Sequence, residues 1–412
     1  MRVLYLAAHG GFAHENVPLG GGGAVCDHLV AEWLHTRPFE LTLVTPAILG
    51  TRAPSGSELV RFSEREYGRF CRDFERAATD EVLRADPAST VVLVNDVSEG
   101  PNFAELAACG FRIFTIYHVD VVAYVSSIYL RGWIRPETSV RWYRRLKALL
   151  PPLSRLVWEK QEASVRYSRG LIVPSADMRA TLRRCYPACF PESAAEKIHV
   201  VPWGVWEPSL APDEPATSAA SLRREYAIPD DALVLLTLSR ISPEKGQHEL
   251  FRALQEWEGR ADFLRRPLWL FVCGEAAYMQ GQRYFEHLKQ WASRLRRTRV
   301  IFPGHVTGAR KQAFFRLADL YVFPSTHESY GLTLLEALNA GLPAVCLDHA
   351  GARSVMREEF GRMVPAAGLR AALAELLSDE ALRRKMGEAA RVYASTQRFS
   401  ESAARVASLL IE

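Results

Sequence analysis

The sequence predicts an α/β fold made of two doubly wound, Rossmann-like domains, on three observations. Short apolar runs alternate with amphipathic helical stretches along the chain, the pattern of strands joined by crossover helices in a parallel sheet. The length of 412 residues exceeds what one hydrophobic core ordinarily spans, so two units of about 200 residues each are expected. A stretch from Trp206 to Ser221, carrying Pro208, Pro212 and Pro215 with several Ala and Ser residues, breaks the alternation near the middle and reads as a linker.

The elements follow in order. Val3 to Ala7 is an apolar strand, Gly20 to Gly23 reads as a turn, and Ala24 to Leu34 as a helix with Val25, Leu29, Val30 and Trp33 inward. Leu41 to Val44, Val91 to Val94, Phe114 to Tyr117 and Gly170 to Val173 continue the strands, with Phe70 to Leu83 a helix between them. The second half repeats the pattern with strands at Leu233 to Leu238, Leu268 to Cys273, Val300 to Phe302, Leu320 to Phe323 and Ala344 to Leu347. Leu332 to Ala340 reads as a helix closed by Gly341 and Pro343. The C-terminal stretch from Ser400 to Leu410 is amphipathic.

Composition narrows the function class. Hydrophobic content of 48% and charged content of 24% are ordinary globular values. A net charge of +4 is too small to indicate nucleic acid, and neither zinc-finger spacing nor an RNA-binding aromatic signature occurs. No apolar run reaches the roughly 18 residues of a membrane span, and Met1 to Ala13 is too short and too broken by His and Gly for a secretory signal, so a cytoplasmic protein is expected. Seven scattered cysteines suggest reduced thiols. Cys273 and Cys346 fall in apolar strands as small core residues. Cys185 and Cys189 lack a second ligand pair, which disfavours a metal site.

The chemistry concentrates between Glu328 and Glu336, two carboxylates eight positions apart across a strand-to-helix crossing. Ser329, Tyr330, Gly331 and Leu332 would present backbone N–H groups at a positive helix end, which favours phosphate. Glu336, one turn in, can accept two hydroxyl protons of a ribose, and Glu328 can face a sugar beyond the phosphates. Arg240 and Lys245 follow the strand Leu233 to Leu238, at the strand end where open α/β sheets bind ligands, and two cations there suit a leaving diphosphate. No Asp-x-Asp, G-x-G-x-x-G or Gly-Lys-Ser/Thr motif is present. A metal-diphosphate device, a dinucleotide fingerprint and a P-loop therefore all lose their main support. His9, at the end of the first strand, could line an acceptor site or donate within a turn.

Together these features resemble the GT-B glycosyltransferases, specifically the large retaining family 4 with its E-x7-E and R-x4-K motifs. The markers occur in family order: Gly20 to Ala24, His118 in Tyr117-His118-Val119-Asp120, Val173-Pro174-Ser175, Val200 to Val205, Arg240 with Lys245, Gly274, Phe302-Pro303-Gly304-His305-Val306, and Glu328 with Glu336. The resemblance implies two domains facing a central cleft: residues 1–205 holding the acceptor, with a returning C-terminal helix at 396–412, and residues 206–395 holding the nucleotide sugar. It implies a retaining, metal-independent transfer of a sugar from a nucleotide diphosphate to an acceptor hydroxyl. Arg240 and Lys245 would bind the diphosphate, Glu336 the ribose and Glu328 the transferred sugar. His118 would sit beside that sugar. Gly22, Gly23, Val306, Ser329, Tyr330, Gly331 and Leu332 would line the donor site. No cofactor is implied, the nucleotide sugar being a co-substrate.

Two departures stand out. Ser354 falls where relatives carry the Glu of Gly-Gly-x-x-Glu, and Glu275-Ala276 replaces the common acidic-Gly pair after Gly274. An epimerase, a phosphorylase or a non-catalytic partner subunit on the same fold are the rival readings. Finally, residues 131–169 carry ten basic residues against Glu137, Glu159 and Glu162, a local +7 (10 − 3) beside +4 for the chain. Trp133, Trp142, Tyr143, Leu146, Leu149 and Trp158 interleave with them. That composition fits a surface resting on anionic lipid, with a membrane-borne acceptor, or a solvated helix pair with its tryptophans packed inside. A small molecule or glycan acceptor belongs with the second alternative.

Overall fold

The computed structural model describes residues 1–12, 20–120, 135–191, 196–206, 218–276 and 281–412. The chain forms two compact units, Met1–Trp203 with Ser400–Glu412, and Gly204–Phe399. Each is built on a six-stranded parallel sheet.

The first sheet consists of β1 (Arg2–Leu6), β2 (Glu40–Val44), β3 (Thr90–Val94), β4 (Arg112–Ile116), β5 (Gly170–Val173) and β6 (Ile198–Val200), in the order β2-β1-β3-β4-β5-β6. Its inner strands β1, β3 and β5 read as nearly unbroken apolar runs because helices cover both faces. Leu4, Leu6, Val92, Val94 and Ile113 pack with Phe70, Phe74 and Val82. Tyr5, pointing the other way, meets Trp33 at 5.8 Å between rings. The helix Phe399–Ile411 returns to this unit: Trp33 Nε1 donates to Ala403 O at 3.1 Å, and Ser402 Oγ to Pro202 O at 2.8 Å.

The second sheet consists of β7 (Leu233–Leu238), β8 (Leu268–Cys273), β9 (Thr298–Gly304), β10 (Leu320–Phe323), β11 (Ala344–Leu347) and β12 (Gly361–Val364), in the order β12-β11-β10-β7-β8-β9. Period-2 alternation sorts its side chains into two cores. Val234, Leu236, Phe271, Tyr321 and Phe323 lie on one face. Leu233, Leu235, Leu270, Leu320 and Val322 lie on the other.

Several sequence boundaries move. The Gly20–Gly23 run is not a turn: the helix Gly21–Thr36 begins inside it, with Gly20 outside at φ 95°, where an absent Cβ removes the steric cost. The helix expected at Phe70 starts six residues earlier, over Glu64–Leu83, because Ser63 and Glu66 form a reciprocal capping box. The expected linker also ends early. Ser218 and Ser221 cap each other across the first turn of the helix Ala219–Tyr226, while 207–217 lie outside the described residues.

The basic segment resolves into the helices Pro136–Leu146 and Pro152–Tyr167. Tyr143 and Trp158 stack inward at 5.0 Å, and Lys160 is buried, pairing with Glu75 at 2.7 Å. Trp142, Leu146 and Leu149 stay exposed among Arg141, Arg145 and Lys147, Leu149 at 81%. The packed-inside alternative thus holds for Tyr143 and Trp158, while Trp142 remains on the surface. Arg131 and Trp133 lie outside the described residues. All seven cysteines are free thiols, with Cys273 and Cys346 in the core, and among the described residues no helix is long and apolar enough to cross a membrane.

Candidate functional site

In the second unit the strand order reverses between β7 and β10, with β8 and β9 outward from one and β11 and β12 outward from the other. At such a reversal the crossovers leave to opposite faces, opening a crevice at the C-terminal strand ends. Two loops border it, one from Ser239 to Gly246 and one from Pro324 to Gly331. They are stitched together: the Thr326 N–H and Oγ1 both donate to Glu244 O, at 2.8 and 3.1 Å. Gly246, at φ 63°, passes so close that a Cβ would stand 1.9 Å from Pro324 O, so no other residue fits there.

This stitching brings Lys245 Nζ to 2.6 Å from Glu328 Oε1, an oxygen that also accepts from Ser325 Oγ at 3.1 Å. Burial by itself would raise the Glu328 carboxyl, but the Lys245 ammonium outweighs it and holds the group below the usual carboxylate range. Arg240 Nη2 stands 3.9 Å from Glu244 Oε1, which accepts from Ser242 Oγ at 2.6 Å. Gln247 Nε2 donates to Arg240 O at 2.9 Å and fixes the loop backbone.

The helix Leu332–Asn339 opens at Gly331, and among the described residues no side chain caps it. Its first-turn amides are therefore positioned to meet an anion. Thr333 on that turn accepts from Tyr321 Oη at 3.0 Å, which ties the helix start to β10. Glu336, one turn along, pairs with Lys311 at 2.6 Å. Lys311 belongs to the helix Gly308–Leu317. It went unnoticed in the sequence because no local pattern links it to Glu336.

Glu328 is also held by the turn after β11. The Gly351 N–H donates to Glu328 O at 3.0 Å, and a Cβ on Gly351 would meet Glu328 Cβ at 2.7 Å. His349 begins this turn, 6% exposed, its ring 5.4 Å from that of Phe323. Burial, opposed by the Glu328 charge, holds its pKa down at about 4. Ser354, where a Gly-Gly-x-x-Glu pattern would place a carboxylate, donates to Ala350 O within its own helix.

In the first unit the order reverses between β1 and β3, and polar groups gather at those strand ends. His9 Nδ1 lies 2.9 Å from Asp96 Oδ1 and its Nε2 4.0 Å from Glu99 Oε1. Tyr67 Oη donates to the buried Glu99. Burial would raise Asp96, yet His9 and the hydrogen bonds around it bring it down to about 2. His9, Asp96 and Glu99 place one ligand-capable atom each within 4.8 Å of one another. His9 thus pairs with a carboxylate from within the turn that follows β1. Asn95 Oδ1 receives Tyr5 Oη at 2.6 Å and His118 Nε2 at 2.9 Å, while Asn95 Nδ2 donates to Asp96 Oδ2 at 3.2 Å. Burial lowers the His118 pKa to about 4. Its ring fills the space beside Gly22, where a Cβ would approach it to 3.0 Å. Gly22 is therefore needed for a side chain's approach, and Gly23 is buried in the same helical turn.

The structure thus brings Arg240, Lys245, Glu328 and the Ser329–Leu332 turn to one crevice, with Glu336 one turn beyond. Val306 differs from expectation: its side chain is a core residue at 4% exposure, leaving its backbone alone for any ligand. Glu244, Ser325, Lys311 and His349, and in the first unit Asn95, Asp96 and Glu99, were not legible in the sequence. Lys311, His349, Asn95, Asp96 and Glu99 acquire their places through contacts between distant segments, whereas Ser325 and the Glu244 carboxylate meet near neighbours in their own loops.

Residues 218–393 match the family described as glycosyl transferases group 1. That segment contains every residue of the second-unit crevice. The D-inositol 3-phosphate glycosyltransferase of Streptomyces scabiei (strain 87.22) is 31% identical over 261 residues, covering 62% of this chain and 56% of the relative. The chain thus spans little more than half the length of this curated relative. Among solved structures, the sucrose-phosphate synthase from Thermosynechococcus elongatus superposes with a TM-score of 0.71 at 19% identity, covering 99% of this chain and 98% of that one. The UDP-forming alpha,alpha-trehalose-phosphate synthase from Burkholderia xenovorans, solved with glucose-6-phosphate, gives 0.69 at 16% identity with 100% of both chains covered. These neighbours establish the fold as GT-B-like, two Rossmann-like domains with parallel sheets.

Proposed function

We propose that this chain is a glycosyltransferase that moves a sugar from a nucleotide diphosphate to an acceptor hydroxyl, with retention of anomeric configuration and without a metal. The observation that carries this reading is the meeting of Lys245 with Glu328 at the β7/β10 reversal, beside Arg240 and an uncapped helix start. Cations and helix amides at one end of the crevice suit a diphosphate. Glu336, a turn deeper, suits the ribose hydroxyls, and Glu328 the transferred sugar. The match of residues 218–393 to glycosyl transferases group 1 supports glycosyl transfer as the reaction.

Chemically, the bond from the anomeric carbon to the phosphate oxygen breaks and one to the acceptor oxygen forms. Arg240, Lys245 and the helix end stabilise the charge that develops on the departing diphosphate. Glu328 is held ionised by Lys245, so it positions the sugar, and the acceptor's proton leaves on the diphosphate. We assign the acceptor to the β1/β3 reversal of the first unit, where His9, Asn95, Asp96 and His118 gather.

A melting-shift screen of UDP-, GDP-, ADP- and TDP-sugars tests the donor, since ligand bound to the native state raises stability logarithmically. One base is expected to stand out, and product analysis then shows the glycoside forming with an acceptor and equally well in EDTA. Failure of every nucleotide sugar to shift melting overturns the reading. Donor epimerised without acceptor favours the epimerase. Loss of turnover in EDTA with recovery in Mn²⁺ removes metal independence.

A further inference from the structure

His349 carries a buried polar atom that the contacts above leave unexplained. Its Nδ1 accepts the Ala352 N–H at 3.2 Å and so caps the helix Ala350–Val355. In a neutral imidazole one nitrogen accepts and the other donates, so this cap fixes the proton on Nε2. Among the described residues, Nε2 is fully buried and has no hydrogen-bond partner. Buried polar atoms in native structures are nearly always paired, and a donor left bare costs its full desolvation. Ser, Thr, Asp or Asn would cap this helix without that cost.

The place of the donor narrows what it serves. Glu328 is the strongest charged influence on the ring, and Lys245 acts on it as well. Two residues on, Gly351 is hydrogen-bonded to the Glu328 backbone. The ring lies against Phe323, at the end of β10, with 5.4 Å between ring centroids. Glu328 Oε1 is already engaged by Lys245 and Ser325.

We propose that His349 is a donor-substrate contact, its Nε2–H hydrogen-bonding an oxygen of the bound nucleotide sugar beside Glu328. That oxygen belongs either to the diphosphate or to the transferred sugar, and both offer the same acceptor chemistry. The inference rests on the nucleotide-sugar reading and adds to it a neutral hydrogen-bond donor among the charged groups. It also gives the turn after β11 a role in substrate binding that Ser354 does not supply.

Two variants separate ligand contact from helix capping. H349S keeps a capping oxygen and removes the Nε2 donor, whereas H349Q puts an amide N–H near the Nε2 position and gives up the cap. Calorimetry would use the nucleotide sugar giving the largest melting shift in the four-base screen, together with its matching nucleoside diphosphate. H349S is expected to melt below wild type, because it vacates the buried ring's volume beside Phe323, yet to stay folded and to bind the nucleotide sugar roughly ten- to a hundredfold more weakly, the usual range for a hydrogen bond to a charged group. H349Q is expected to melt lower and to recover part of the affinity. An equal loss with the diphosphate alone assigns the contact to a phosphate oxygen. A loss confined to the nucleotide sugar assigns it to the sugar. Wild-type affinity in H349S, or affinity that follows the cap rather than the donor, overturns the proposal. If wild type binds none of the nucleotide sugars, the functional reading itself fails, a result distinct from a binding wild type with an unaffected H349S.

Discussion

Lys245 and Glu328 lie 83 positions apart and meet at 2.6 Å, each at the C-terminal end of one of the two strands that flank the second sheet's reversal. The pair is partly screened from water, with side-chain exposures of 11% and 17%. Its geometry depends on Gly246 packing under Pro324 and on Thr326 holding Glu244. The ion pair is therefore a product of loop stitching.

Removing one partner of this pair should affect stability and turnover together. Lys245→Met leaves a carboxylate uncompensated, which costs about 3–5 kcal/mol in fully buried pairs and less here because some water reaches it. Turnover should fall by about 10²–10³ if Lys245 acts on the leaving diphosphate. Chemical denaturation and steady-state kinetics check both, and the double variant Lys245→Met with Glu328→Gln should recover stability without activity. Recovery of both would make the pair purely structural.

Glu336→Ala should weaken nucleotide binding by about 1.5–3 kcal/mol, the usual size for hydrogen bonds to a charged group. Lys311→Ala should act in the same direction through its 2.6 Å contact with Glu336. Calorimetry with the nucleoside diphosphate and with inorganic pyrophosphate, which lacks the ribose, separates ribose recognition from phosphate recognition. Equal affinity in wild type and Glu336→Ala would remove the ribose assignment.

Stability should fall as pH drops from about 6.5 to about 4. His118 and His349 both have folded pKa values near 4 against an ordinary 6.5, so the unfolded chain binds protons in that window that the native state refuses. The slope is therefore positive with pH, and each group contributes on the order of 3 kcal/mol at most. Asp96, lowered to about 2, extends the loss below pH 4, because its stabilisation is present above the unfolded carboxylate pKa and vanishes as the folded group is protonated. Urea midpoints at pH 7, 5.5 and 4.5 test this. A His118→Gln, His349→Gln double variant should show a flatter profile, and an unchanged slope would locate the effect elsewhere.

The exposed Trp142, Leu146 and Leu149, set among Arg141, Arg145 and Lys147, should bind anionic lipid weakly. Co-sedimentation with phosphatidylglycerol vesicles is expected at low salt and release as ionic strength rises, each basic residue contributing about 1 kcal/mol near the surface. Replacing Trp142 and Leu149 by Ser should lower the bound fraction. Absence of binding at low salt would favour a small-molecule or glycan acceptor over a membrane-borne one.

The sequence by itself determined the α/β class, the doubled Rossmann-like plan, and ten of the strands to within a few residues, because apolar period and glycine or proline punctuation are local signals. It also brought out Arg240, Lys245, Glu328 and Glu336, since charges beside strand ends stand out against apolar runs. β6 and β12 escaped notice: Ile198–Val200 and Gly361–Val364 are short edge strands interrupted by His199 and Arg362. The strand order, and with it the two reversals, was decided only by the tertiary structure, because pairing joins segments as distant as Leu235 and Leu320. The same holds for the long-range partners in the candidate site. Lys311 reaches Glu336, His349 comes beside Glu328 and Asn95 takes up His118 only once separate crossovers bring their strand ends together. A side chain's partner depends on that packing, and linear spacing carries no record of it.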